Sequence, residues 1–280
     1  MGVTVLYSEI FKSIQGEGHY TGVTTVWLRF FGCNLECNGF GQTNPKDPST
    51  YELPYEKIDL TEITSVEELP VFKYGCDSSY SWSKKFAKIQ KKGTPEEVAE
   101  NLQSLITSDQ YHIAFTGGEP LLPAAQKNMV KIMEHMNHHD ITIETNGTQQ
   151  LKTEFHNYFS FYDKELFFSI SPKIHGTSGE IDAVKPEIIK TYHDLSDKGQ
   201  LKFVCNGTDE SWEEIENAIQ DCRDLGIEYP IWIMPVGALE ETQKDNAAMI
   251  AYVGSLRPAD EVNNKSSSVR ARWPLNELSK

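Results

Sequence analysis

Apolar and polar positions alternate loosely over residues 3–12, and a second apolar run rich in β-formers, residues 26–31, ends at Gly32. Both read as strands. From residue 94 the pattern becomes regular. Thr94, Pro95 and Glu97 supply an N-cap, a proline at the first helical position and a capping-box acid, while Val98, Leu102, Leu105 and Ile106 form one apolar stripe. A strand over 111–115, a helix over 123–138 and a strand over 141–144 follow. The stretch holding Phe155, Tyr158, Phe159, Phe161 and Tyr162 reads as irregular. Beyond it the pattern predicts strand 166–170, helix 186–195, strand 200–204, helix 211–225 closed by Gly226, strand 231–234 and helix 242–254. Strand and helix alternating over most of the chain predict the α/β class, a partial (βα) barrel of mostly parallel strands with outer helices. Functional residues then belong on the loops that follow strands.

Residues 38–75 break this pattern, with three prolines before residue 55, many carboxylates and little helical periodicity. Turn chemistry and acidity predict a surface excursion, serving as a subdomain, a partner-docking element or a lid. It interrupts a single domain spanning 1–280, which ends in a polar tail at about 257–280.

Composition narrows the class. A chain of 280 residues suits one large α/β domain with a substantial core. A formal net charge of −15 without a basic stripe argues against direct nucleic-acid binding. Five cysteines, an odd number, and the lack of a charged-then-apolar leader argue against a disulfide scaffold and secretion, and no apolar stretch approaches a membrane span. The expectation is a soluble cytoplasmic protein.

The candidate chemistry lies at strand ends. Cys33 and Cys37 open the loop after Gly32. Two thiolates are too few for an iron–sulfur cluster. From spacing alone, Cys76 is either the missing ligand or an unrelated loop thiol. Thr116-Gly117-Gly118-Glu119-Pro120 follows a strand: its glycines let backbone approach a ligand and Glu119 offers an acceptor for an ammonium, although a lone Gly-Gly pair is equally a turn. Ser171-Pro172-Lys173 offers a hydroxyl and an ammonium beside a fixed turn. Asp77 and Ser78 are hard oxygen ligands suited to Mg²⁺. Arg29 suits a substrate carboxylate or a surface ion pair. Glu17, between Gly16 and Gly18, can accept from ring N–H groups. Cys205 and Cys222 read as structural.

Taken together, these stretches resemble a known family. The run from Glu9 to Gly18, with Gly22 and Arg29, is similar to the N-terminus of the 7-carboxy-7-deazaguanine synthases, which are radical S-adenosylmethionine (SAM) enzymes. Cys33 and Cys37 match the start of the family's Cys-x3-Cys-x2-Cys loop, Phe40 stands where its third cysteine would be, and Gly75-Cys76-Asp77-Ser78 resembles its end. The resemblance implies a radical SAM type of partial barrel. It implies a [4Fe-4S] cluster on Cys33, Cys37 and Cys76, and Mg²⁺ on Ser78 with Asp77 as a further ligand. SAM would meet Gly75, Asp77, Gly118, Glu119, Glu144, Ser171, Pro172 and Lys173. Substrate would meet Ile14, Gln15, Gly16, Glu17, Arg29 and Thr116. The implied activity is ring contraction of 6-carboxy-5,6,7,8-tetrahydropterin to 7-carboxy-7-deazaguanine with loss of ammonia, the radical chemistry residing in SAM and cluster. The alternatives are another radical SAM activity such as a glycyl-radical activase, or a cluster-free pterin- or nucleotide-binding protein. Expected partners are the pterin, a flavodoxin-like or other electron donor, and a second copy in a homodimer.

Overall fold

The computed structural model describes residues 3–107, 111–137, 139–238 and 270–271. Its strands are β1 (Val5–Ile14), β2 (Thr24–Phe30), β3 (Lys91–Gly93), β4 (His112–Gly117), β5 (Ile141–Thr145), β6 (Leu166–Ile170), β7 (Gly199–Cys205), β8 (Ile231–Pro235) and β9 (Arg270–Ala271). Among the described residues they form one sheet in the order β3-β1-β2-β4-β5-β6-β7-β8-β9. Pairing is parallel from β2 through β9, whereas β1 runs antiparallel to both its neighbours. The sheet is open, with β3 and β9 at its two ends, so the expected partial barrel is what forms.

The helices are α1 (Pro54–Lys57), α2 (Pro95–Leu105), α3 (Pro123–Met133), α4 (Thr153–Ser160), α5 (His175–Ser178), α6 (Pro186–Leu195) and α7 (Asp209–Asp224). In α2 the expected capping box is present: the Thr94 hydroxyl accepts from Glu97 N and the Glu97 carboxylate accepts from Thr94 N. Proline opens α2, α3 and α6, where the missing N–H would have been unpaired anyway.

Period-two alternation sorts each strand between two environments. Leu201, Phe203 and Cys205 of β7 join Ile113 and Phe115, Ile141 and Ile143, and Phe168 and Ile170 in the main core, and the helices cover that side. Several intervening residues of the same strands are polar, among them His112, Thr142, Glu144, Ser169, Gln200 and Lys202, beside apolar Ala114, Phe167 and Val204, and the polar ones pair across the opposite face. Gln200 Nε2 donates to Ser169 Oγ at 2.8 Å, and His112 Nε2 lies 2.5 Å from Thr142 Oγ1. Burial pushes the His112 pKa down to about 4, which keeps that ring neutral. The polar face leads to the loops at the strands' carboxyl ends.

Two segments differ from the sequence reading. Residues 153–160, read as irregular, are helical: Phe155 and Phe159, one turn apart, are both buried with ring centroids 4.5 Å apart. Tertiary packing overrides the modest helix propensity of aromatic residues. The insertion is more than a surface excursion. Tyr55, Val66 and Phe72, with Phe86 and Ile89 just beyond Cys76, form a second, separate core, against which Leu53, Ile63, Tyr80 and Trp82 pack. Its elements are α1 and the 3-10 turns Pro48–Thr50, Val66–Glu68, Ser79–Ser81 and Lys84–Ile89. Such short turns carry no amphipathic stripe, which is why periodicity missed them. The expected helix 242–254 and most of the tail at 257–280 lie outside the described residues.

Candidate active site

The loops after β2, β4, β5 and β6 surround a cavity of about 170 Å³. Its wall includes Cys33, Cys37 and Cys76, Asp77 and Ser78, Thr116 and Gly118, Glu144, Ser171 and Lys173. A neighbouring cavity of about 220 Å³ shares Phe40, Asp77, Ser171 and Lys173 with it and adds Glu17, Gly75, Lys202 and Met234. Two strand-end hollows therefore meet along one rim of Asp77, Ser171 and Lys173.

How Cys76 reaches its companions is visible in the backbone. The insertion leaves and returns at adjacent points: Gly75 N donates to Phe40 O at 2.8 Å. Tyr55 OH donates to Asn38 Oδ1 at 3.1 Å, and the Gln42 amide exchanges hydrogen bonds with the Glu52 backbone. Residues 41–74 thus leave and rejoin the chain at one point, and Cys76 continues from where Phe40 stops. Phe40 fills the place of a third motif cysteine; its ring lies 5.7 Å from the Lys173 ammonium.

No disulfide joins any two of the five cysteines. Burial pushes Cys33 up to about 12, and it raises Cys37 and Cys76 as well, while the Lys173 ammonium pulls Cys33 and Cys37 back down. Such buried thiols become thiolates only when a positive centre joins them. Among the described residues no three His, Cys, Asp or Glu groups converge tightly enough for a single ion. In a cluster each sulfur would bind its own iron around a larger body. The donor set, three sulfurs around one cavity with Cys37 buried and Cys33 and Cys76 half-buried, fits an iron–sulfur cluster.

The cysteine loop is held from both sides. Glu119 N donates to Gly32 O and Gly32 N to Ser81 O, at 2.8 and 2.7 Å. A Cβ at Gly118 would stand 2.7 Å from Cys33 Cβ, so only glycine lets the β4 loop lie this close. The Glu119 carboxylate is fully buried and accepts from Leu121 N, Thr145 Oγ1 and Asn146 N, at 2.7 to 2.8 Å. Burial lifts its pKa to about 7 against those three bonds. Its carboxylate stands behind the cavity wall, tying β4 to β5.

Glu180, which sequence reasoning did not single out, holds the other side. Its Oε1 accepts from Glu36 N at 2.8 Å and Cys37 N at 2.6 Å. Cys37 has φ 51°, a left-handed conformation that costs a non-glycine residue about 1 kcal/mol, so Glu180 stabilises the strained turn that presents the Cys37 thiol to the cavity. Glu180→Ala is expected to remove about 1–3 kcal/mol of this support. The check is iron kept by the loaded protein under a chelator: faster loss is expected, and wild-type retention would show the carboxylate is dispensable.

A second unpredicted residue, Lys202 on β7, is buried on the polar face. Its ammonium donates to Glu144 Oε2 at 2.7 Å and lies 3.3 Å from Glu17 Oε2, and both carboxylates hold its pKa up against burial. Gln15 Nε2 donates to the other oxygen of Glu144 at 3.1 Å. Gln15, Glu17, Glu144 and Lys202 form one network joining the loop after β1 to the ends of β5 and β7. Its sequence signal was a lysine in the otherwise apolar run Leu201-Lys202-Phe203-Val204.

Other expected residues are placed differently. Arg29 donates to Glu9 Oε1 at 2.8 Å, from the position opposite it on β1, and Tyr80 OH donates to the same oxygen at 2.9 Å. Neither Arg29 nor Ile14, which is 59% exposed, lines either of these two cavities. Gly16 has open space around it, and Pro172 is buried behind Ser171 and Lys173, whose ammonium donates to Ser171 Oγ at 2.8 Å. The Ser78 hydroxyl lies 3.6 Å from Cys76 Sγ, beside Asp77 on the same wall.

An open parallel sheet with three thiols and hard oxygen groups at its carboxyl ends defines a class: an α/β protein built for an iron–sulfur cluster beside a polar ligand. The family model described as the radical SAM superfamily matches residues 74–253. The chain belongs to the radical SAM superfamily, which implies a [4Fe-4S] cluster and SAM. A 7-carboxy-7-deazaguanine synthase of Rhodopirellula baltica is 26% identical over 240 residues, covering 84% of this chain and 74% of that protein. The synthase of Methanothermobacter thermautotrophicus is 30% identical over 140 residues, or 50% of this chain, and that of Archaeoglobus fulgidus 34% over 117 residues, or 41%. Those two matches span only 40% and 36% of the relatives' own length. A solved structure titled QueE from Escherichia coli aligns over 90% of this chain and 91% of that one, with TM-score 0.48 and 16% identity, a likeness too distant to decide function. No helix among the described residues is long and apolar enough to cross a membrane.

Proposed function

We propose that the chain catalyses the ring contraction of 6-carboxy-5,6,7,8-tetrahydropterin to 7-carboxy-7-deazaguanine with loss of ammonia, as its relatives' names suggest. The observation that carries the reading is the meeting of Cys76 with Cys33 and Cys37 on one cavity wall, with Asp77 and Ser78 beside them. When bound, the cluster and SAM supply the electron and the carbon radical that take hydrogen from substrate. The chain supplies position and charge. Lys173 sets a cation and Ser171 a hydroxyl at the rim, suited to SAM's carboxylate. Asp77 and Ser78 offer hard oxygens for Mg²⁺, which suits a substrate bearing a carboxylate. The Glu17 side chain is about half exposed to the larger cavity, where it can accept from N–H groups of a pterin edge. Apolar Phe40 and Met234 limit water there. The reading carries with it a reducing, cytoplasmic setting, in keeping with five cysteines outside any disulfide, and a protein electron donor.

The test is anaerobic loading with iron and sulfide, followed by turnover with SAM, Mg²⁺, a reductant and the carboxytetrahydropterin, with product read by mass spectrometry. The expected outcome is SAM- and Mg²⁺-dependent 7-carboxy-7-deazaguanine. SAM cleavage without that product would assign the chain to another radical SAM activity.

A further inference from the structure

One short segment of the unit that completes the cysteine site is locally basic, in contrast to the acidic residues before it and to the chain as a whole. Lys84, Lys85, Lys88, Lys91 and Lys92 fall within nine residues that hold no carboxylate, in a chain of net charge −15. Lys91 is paired with Glu67 at 2.8 Å, and Lys85 donates to the Glu56 carbonyl at 2.9 Å. Lys84, Lys88 and Lys92 are exposed and make no ion pair among the described residues.

This face lies close to the cysteine site. Trp82 lines the cysteine cavity, and Lys84 follows it after two Cα steps, at most about 7.6 Å. The Trp82 indole N–H is buried with no acceptor in full hydrogen-bond geometry, and it lies against the sulfur of Cys76, a weak and long-reaching acceptor. On its other side Trp82 packs on Tyr55 in the second core, with ring centroids 5.7 Å apart. The same segment is clamped to the cysteine loop through Ser81 O and Gly32 N. Lysines, indole and thiol thus make a short, packed series from solvent to the site.

A one-electron donor has to bring its own redox centre near the cluster, and a patch of one sign steers a partner of the other. Screening over about 8 Å at physiological salt means such a partner responds to the charges nearest it, where Glu67 is already matched by Lys91 and Lys84, Lys88 and Lys92 are left over. A compact acidic protein can engage this face alone. An extended nucleic acid would continue past it onto a surface of like charge. We propose that the lysine-bearing face of residues 84–92 is the docking surface for an acidic one-electron donor protein, with Trp82 and Cys76 beneath it as the entry to the cluster. The proposal rests on the radical SAM reading of the cysteine site.

The test uses the cluster-loaded full chain and stopped-flow reduction, by a reduced flavodoxin and separately by dithionite, at low and physiological salt. In the combined Lys84→Gln, Lys88→Gln and Lys92→Gln variant the flavodoxin rate should fall by about tenfold or more and lose most of its salt dependence. The dithionite rate and iron content should stay at wild-type values, and Lys127→Gln, an exposed lysine on α3, should change nothing. A flavodoxin rate equal to wild type in a fully loaded variant overturns the docking surface alone. Loss of tRNA binding with an unchanged flavodoxin rate also overturns it, in favour of a nucleic-acid face. A wild-type chain that takes up no iron overturns the docking surface and the cluster reading together.

Discussion

Cys76→Ala is expected to leave a folded chain that cannot assemble its cluster. The substitution removes one of three sulfurs around the cavity, and two thiolates leave an additional iron unligated. Little else should change, because the local backbone is held without the thiol: Gly75 N donates to Phe40 O and Ser79 N to Cys76 O. After anaerobic loading, iron should fall from about four atoms per chain to a small fraction of that, while the melting curve of the unloaded protein stays close to wild type. Cys205→Ala and Cys222→Ala, both deep in the main core, should keep full iron. A complete cluster in Cys76→Ala would remove this residue from the site and with it the role given to the insertion.

The second large effect belongs to Lys202→Met. The ammonium sits between Glu144 and Glu17, with only 8% of its side chain exposed, against 13% for Glu144 and 44% for Glu17. Methionine keeps most of the volume and removes the charge. Glu144 is then left buried and uncompensated, at a cost of about 3–5 kcal/mol, while half-exposed Glu17 contributes little. The urea midpoint should drop accordingly. In the wild type the pair's contribution has a defined pH window. Because the folded pKa of Lys202 is raised above its ordinary value, the stabilisation is fully present below about pH 10 and is lost only as pH rises through the folded value. Lys202→Arg should restore part of the midpoint. An unchanged midpoint in Lys202→Met at neutral pH would mean the two carboxylates are solvated well enough to need no cation.

Much of this fold is carried by local signals. The capping box at Thr94 and Glu97, the proline starts of α2 and α6, and the apolar runs of β6 and β7 identify elements from a few neighbouring residues each, and the structure keeps them. The meeting of the three cysteines on one cavity wall was legible only by likeness to a known motif, because nothing local says that Cys76 lies beside Cys33. The second core was hidden for a related reason. Tyr55, Val66, Phe72, Phe86 and Ile89 come from separate short turns, and no repeat along the chain marks them as neighbours. Arg29 shows the limit of reading one strand at a time. Its carboxylate partner is Glu9, which faces it only once the β1–β2 register is known. Glu180 supports the cysteine loop across more than 140 positions of sequence, and no spacing rule reaches that far.

The separate packing of the inserted unit has a consequence for how the cofactor is kept. One sulfur of the set hangs at the seam of a small apolar nucleus and the other two on the large one. Opening of the minor nucleus alone, a local event with its own free energy, would unfasten a single ligand while the main body stayed intact. On the proposed reading, the endurance of bound iron is governed by the weaker of the two nuclei, and residues such as Tyr55 and Phe72, which line neither cavity, set the lifetime of the loaded state.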